Sequence, residues 1–258
     1  MRRLLPFIAA AALALFSCAG VASATPTVSF QMKAVPIPGF PHTGNILGAG
    51  AAATLNFAIE GSEYFGDAPP IIAAHFYAPA GGVVHVYGWP TCSEATINNV
   101  GPSGCAKSAK AGPIGTVLGY VTFGSERVEE TGELFPFFKP GGGLEYFAYG
   151  SSPVVIEAIA TGQFSHLGGI DGYGFEEEEQ IPLIATVPDG PYASVKTIKG
   201  TFGAAMKSHG KTIYYFQLPK KCPAGGFPLK AEVIFAENGD PSTPETVSAF
   251  DKAPCPRR

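Results

Sequence analysis

The chain has 258 residues, of which 33 are Gly and 24 are Pro, against 15% charged residues and a single Trp. Past residue 24 no stretch longer than 10 residues lacks both Gly and Pro, which excludes helical bundles and coiled coils, whose helix interiors reject both residues. A composition that is 46% hydrophobic and 12% aromatic excludes disorder. The formal net charge of −4, with no basic cluster denser than Lys220-Lys221, excludes a phosphate-binding surface and with it nucleic acid as a partner.

At the start of the chain Arg2 and Arg3 precede an apolar run from Leu4 to Phe16, and Ala22-Ser23-Ala24 supplies small residues before Thr25. This pattern predicts a secretory signal peptide over residues 1–24 and a mature protein that begins at Thr25. A competing reading takes Leu15-Phe16-Ser17-Cys18 as a lipobox with Cys18 lipidated, and bulky Phe16 fits that motif poorly. No later segment approaches 18 consecutive apolar residues, so no transmembrane segment is expected. The expected location is secreted and extracellular, or the cell envelope.

Residues 25–258 read as a single domain, two packed β domains being the alternative. Val28, Phe30, Met32 and Ala34 alternate with Ser29, Gln31 and Lys33, the period of a half-buried strand. The pattern recurs in Leu55, Phe57 and Ile59, and again in Leu229, Ala231, Val233 and Phe235. Further strands are predicted over 70–77, 83–88, 114–123, 143–149, 153–161, 181–187, 193–204, 211–218 and 245–251, each bounded by Gly, Pro, Asn or Asp. The segment Thr91 to Val100 alone looks helical, with Ser93 placed to cap and Gly101-Pro102 as a stop. Without crossover helices the strands must pair antiparallel. The expected fold is an all-β antiparallel β-sandwich with one short helix in a disulfide-stapled loop.

Cys92, Cys105, Cys222 and Cys255 remain after the leader, an even number in an oxidising compartment. Three connectivities are open. Local loops favour Cys92 with Cys105 and Cys222 with Cys255, and the absence of C-x-x-C spacing argues against structural zinc. The turn Glu237-Asn238-Gly239-Asp240-Pro241 predicts a terminal hairpin in which Ala236 pairs near Thr246. The longer loop and the loss of that hairpin make Cys255→Ser the more damaging break on this reading.

The segments Ala78-Pro79-Ala80-Gly81, Pro90-Thr91-Cys92, Gly101-Pro102, Cys105, Ser108-Ala109, Gly112 and Phe123-Gly124-Ser125-Glu126-Arg127-Val128 form a distinctive set. Lys220-Lys221-Cys222-Pro223, Gly225-Gly226-Phe227-Pro228 and Ala253-Pro254-Cys255-Pro256 extend it. Together they resemble a group of uncharacterised secreted actinobacterial proteins. The resemblance implies a secreted, disulfide-bonded, β-rich protein and transfers no catalytic residue.

Catalytic patterns are missing from the sequence. Gly101-Pro102-Ser103-Gly104-Cys105 fails as a G-x-S-x-G elbow at its last position, and His42, His75, His85, His166 and His209 are scattered. His75 and His85, on neighbouring predicted strands, form the one histidine pair to examine. Glu145 and Glu157 are strand carboxylates that a glycosidase would need across a cleft, and exposure on the solvent face is the plainer reading for both. Glu176 to Glu179 read as a solvated loop or edge strand, since extended backbone sends alternate oxygens to opposite sides and disperses any Ca²⁺ set. Trp89, with Tyr87, is a candidate ligand platform, and packing in the core is the favoured reading for a lone Trp among 19 Phe and 10 Tyr. No cofactor and no metal are expected. The expected function is a binding or structural role in the cell envelope, with a cell-wall or polysaccharide partner; the alternative is a secreted carbohydrate-active or ester hydrolase.

Overall fold

The computed structural model describes residues 25–40 and 46–256, so the expected leader, Cys18 and His42 lie outside the described residues. The chain opens with β1 (Thr27–Val35), β2 (Gly50–Glu60), β3 (Ile71–Pro79) and the short β4 (Val83–Val84), then leaves the sheet for helix α1 (Glu94–Val100). It returns as β5 (Gly115–Phe123), β6 (Glu126–Phe138), β7 (Leu144–Gly150), β8 (Ile156–His166) and β9 (Tyr173–Gln180), each hairpinned to the next. After β10 (Ser194–Phe202) come three short strands, β11 (Ala205–Ser208), β12 (Lys211–Tyr214) and β13 (Phe216–Gln217). The last two strands are β14 (Phe227–Ala236) and β15 (Pro244–Ala253).

The main sheet runs β15-β14-β3-β9-β8-β7-β6-β5-β10-β2, with β1 paired to β2 and β13 and β4 continuing from the start of β2. All these ladders are antiparallel. The sheet curls over until β1 lies against β15, where the Met32 N–H donates to Asp251 Oδ2 at 3.1 Å. The result is an antiparallel β-sandwich whose layers belong to one continuous sheet. Glycines let the sheet turn between layers: a Cβ at Gly115 or Gly119 on β5 would stand 2.4 Å from Lys199 O or 2.3 Å from Ser194 O of β10. Only a residue without a side chain permits that approach.

The alternation in β1, β2 and β14 places its apolar members inside as expected, and Phe30, Leu55, Phe57, Leu229, Val233 and Phe235 are buried in the main core. A second cluster lies on the outside of β6 and β7, where Cys92, Ile97 and Ala109 cover Phe137 and Phe147. Helix α1 is shorter than Thr91 to Val100. Ser93 is its N-cap, its hydroxyl accepting from the Thr96 N–H, while the Cys92 N–H is committed to Phe138 O. β6 and β11 fall outside the expected strands, β9 is an interior strand where a solvated loop or edge strand was expected, and residues 181–187 make the isolated bridge Ala185–Tyr192 rather than a strand. The 83–88 segment is strand only at Val83–Val84, and 211–218 is broken at the buried Tyr215.

Both local disulfides are present, Cys92–Cys105 and Cys222–Cys255, with Cα–Cα separations of 5.5 and 5.8 Å. The terminal hairpin is two residues tighter than expected, Ala236 pairing with Pro244 and Ile234 with Thr246. The ladders around the hairpin favour the opposite order of the two bonds. β14 is laddered on one side along all of β15 and on the other to β3, so the hairpin stays docked without its cystine. The 92–105 excursion holds a helix too short to stand alone, and its one buried helical residue is Ile97. Cys105→Ser should therefore lower Tm more than Cys255→Ser. The longer loop gives the second bond an advantage of only roughly 0.8 kcal/mol, against roughly 1.5 to 3 kcal/mol for re-exposing a large apolar side chain. Parallel thermal melts check the order.

Candidate functional site

Trp89 belongs to the core. It is 7% exposed, stacks on Phe138 at 4.6 Å, meets Tyr215 edge-on at 5.6 Å and donates its indole N–H to His85 O. Its faces are used by the interior, so it offers a ligand no surface platform. Tyr87 is 74% exposed and stands at the surface without the indole beside it.

Glu145 corrects the expectation of a solvent-facing carboxylate. It is 3% exposed on the outer side of β7, the start of α1 covers it, and its Oε2 has no hydrogen-bond partner among the described residues. Burial is the main cause that raises its pKa to about 7; the Glu94 charge adds to this, while Lys139 and the Glu94 backbone N–H oppose it. Glu157 is exposed. Glu145 is level with Thr161 and Glu157 with Tyr149, four residues along the same ladder. That places the carboxylates roughly 13 Å apart along the strands, farther than the roughly 5 to 9.5 Å over which paired carboxylates act on one glycosidic bond. His75 and His85 are likewise employed separately: the His75 ring is bonded to Glu176, and the His85 backbone N–H to Tyr215 O.

The acidic run holds the largest surprise. Glu176 to Glu179 form part of β9, which is laddered to β3 on one side and β8 on the other, so it is an interior strand of the sheet rather than an edge. Strand alternation then divides the four carboxylates between two environments. Glu176 and Glu178 face outward. Glu177 and Glu179 face inward, where Tyr146 donates its hydroxyl hydrogen to Glu177 Oε1 at 2.9 Å.

On the outer face, register aligns Phe250, Lys230, Tyr77, Glu176 and Ser165 across β15, β14, β3, β9 and β8. The neighbouring row is Ser248, Glu232, His75, Glu178 and Gln163. Five strands spaced by about 4.8 Å make a plate roughly 19 Å wide. Its polar groups are cross-linked: His75 Nδ1 lies 2.6 Å from Glu176 Oε1, Tyr77 donates to Glu232 Oε2 at 2.7 Å, and Lys230 Nζ lies 2.7 Å from Glu232 Oε1. Lys230 also sits over the Tyr77 ring, and Tyr173 packs beside Tyr77 at 5.6 Å. The Lys230 and Tyr77 hydrogen bonds hold the Glu232 carboxyl below its ordinary pKa, whereas burial and then the Glu232 contact push the Tyr77 hydroxyl up. Phe250 is 70% exposed at the end of its row.

Among the described residues no group of three His, Cys, Asp or Glu side chains is placed to hold a metal ion. No family model matches the chain, and neither the curated proteins nor the solved structures hold a match to it. The plate could not be found from the sequence, because its residues come from five strands, one of which read as a solvated loop or edge strand.

Glu145 gives a pH test. Its folded pKa lies above the ordinary carboxylate value, so the native state binds more protons than the unfolded chain between pH 4.5 and about 7, and stability falls as pH rises through that window. Glu145→Gln should leave stability unchanged at pH 4 and raise it at pH 8. The expected gain is roughly 1 to 2 kcal/mol, below the full value of the shift because water at the exposed start of α1 screens the charge. Urea titrations at the two pH values measure it.

Proposed function

We propose that the protein is a secreted or cell-envelope binding protein that attaches to a cell-wall polysaccharide through the outer plate of β15, β14, β3, β9 and β8. The carrying observation is the pairing of aromatic rings with oriented carboxylates on one outward face: Tyr77, Tyr173 and Phe250 beside Glu176, Glu178 and Glu232. Sugar rings present C–H faces to aromatic surfaces, and their hydroxyls donate to carboxylates; both are supplied within one plate. The mutual bonds of His75, Glu176, Tyr77 and Glu232 fix the side chains before a ligand arrives, which reduces the entropy lost on binding.

Secretion is supported by the two disulfides, which persist in oxidising compartments, and by the signal-like residues before Thr25. Among the described residues no helix is long and apolar enough to cross a membrane. N-terminal sequencing of protein from the culture medium should begin at Thr25; a lipid-modified Cys18 in the membrane fraction would instead make it an anchored lipoprotein.

Sedimentation with insoluble cell-wall polysaccharide tests the plate. The wild-type chain should co-sediment, and Tyr173→Ala, Phe250→Ala and Glu178→Gln should each reduce the bound fraction about tenfold, or roughly 1.4 kcal/mol. Glu178 and Phe250 are exposed, so thermal melts of those two variants should match the wild type. Equal sedimentation of the triple variant, or none by the wild type, rejects the reading.

A further inference from the structure

The inward half of the acidic strand borders a cavity. It opens at the end of the sandwich near the Cys222–Cys255 disulfide, between the last residues of β1, β3 and β15 and the first of β9 and β14. Phe76, Phe164, Phe175, Phe202, Phe216 and Phe227 line it, with Glu177 as the carboxylate in its wall. Its volume is about 120 Å³. An apolar protein cavity of about 150 Å³ accepts benzene, so this space suits one small ring or a short alkyl group.

The cavity floor is polar in a way that packing alone does not require. Glu177 is surrounded by protein yet keeps accessible surface, because that surface borders the cavity. Glu179, two residues along the same face, adds a second desolvated carboxyl. The Tyr215 hydroxyl, fully buried and close enough to feel the Glu177 charge, has no hydrogen-bond partner among the described residues. Beside β9 the inward residues of β3 and β8 are Ala74, Phe76, Gly162 and Phe164, none of them charged. Asp251, at the seam between β1 and β15, already accepts the Met32 N–H. Among the described residues no inward cation is paired with Glu177 or Glu179.

We infer that this cavity binds a small organic cation, an aromatic ring or short alkyl group carrying one protonated amine. The ring would fill the space among the phenylalanines. The ammonium would lie against Glu177, supplying the hydrogen-bond donors and positive charge that the floor lacks. Attraction between opposite charges removed from water is strong only when both are paired and hydrogen-bonded, which the Tyr146–Glu177 bond assists. This site lies on the inward face and the outer plate on the outward face, with Tyr77 bordering both, so binding at one does not require binding at the other.

Benzylamine, benzyl alcohol and phenylacetate serve as probes in calorimetric titrations of the whole mature protein. Benzylamine should bind at pH 8 at least about tenfold more tightly than benzyl alcohol, with phenylacetate excluded. Its affinity should rise between pH 5.5 and 8 with release of protons, as the carboxyls ionise beside it. In Glu177→Gln the preference for the amine should vanish while benzyl alcohol binding is kept. In Ala53→Phe, which narrows the cavity from β2, both ligands should be lost. Equal affinity for amine and alcohol, an amine preference that survives Glu177→Gln, absence of pH dependence, or no binding by any probe overturns the inference. The pH dependence and the amine-to-alcohol ratio are read on the unmutated protein, so the test stands if a variant fails to fold.

Discussion

A strand laddered on both sides must send successive side chains to opposite faces of the sheet, and that constraint decides where the acidic residues of this protein go. β9 has no free edge through which its glutamates can all turn to solvent. Two are therefore driven into the interior and two onto the outer plate. The inward pair sets the chemistry of the core: it draws the Tyr146 hydroxyl, and desolvation raises Glu177 to a pKa of about 7. The outward pair sets the chemistry of the surface by fixing His75 through Glu176.

The parts of the fold that were legible in the sequence share one property. Residues 28–34, 55–60 and 229–235 separate apolar from polar side chains at period two, because one face meets the core and the other meets water. β6 and β9 break that separation. β6 carries Glu126, Glu129, Glu130 and Glu133 and also Pro136, and the proline is tolerated because β5 pairs only as far as Leu134, leaving the Pro136 segment to accept the Ala111 N–H from a loop. β9 has carboxylates on both faces, so nothing in its pattern distinguishes a strand from a solvated loop. The disulfides were legible for a different reason: parity and local loop closure operate before any packing is known. The burial of Trp89 was legible too, since a lone Trp among 19 Phe and 10 Tyr is most simply core, whereas Glu145 was not, because the helix excursion buries it.

The two disulfides perform different mechanical tasks. Cys92–Cys105 holds a helical excursion over Phe137 and Phe147, converting what would be an exposed aromatic outer face into a second small core and enclosing Glu145. Cys222–Cys255 closes the rim near the mouth of the inner cavity, where Cys222 packs against the main core and Cys255 is exposed. The first bond therefore bears on stability through buried area. The second bears chiefly on how freely the rim can move around whatever enters.

The composition of β9 raises a question of register. A slip by one residue would exchange Glu176 and Glu178 for Glu177 and Glu179, leaving two carboxylates inside and two outside, so the acidic run itself cannot specify its pairing. The flanks must do so. Phe175 packs against Phe164 inside at 6.2 Å, and a slip would send its ring to the polar plate. Tyr173 packs beside Tyr77 at 5.6 Å, and the Ile181 N–H after the strand is held by Ile72 O. Residues on both sides of the run thus fix a segment whose own side chains are degenerate, and the Tyr146–Glu177 and His75–Glu176 bonds form only in the register those flanks impose. The inward and outward carboxylates therefore both depend on the placement of β9, although a ligand at the cavity and a ligand at the plate would lie on opposite faces of the sheet.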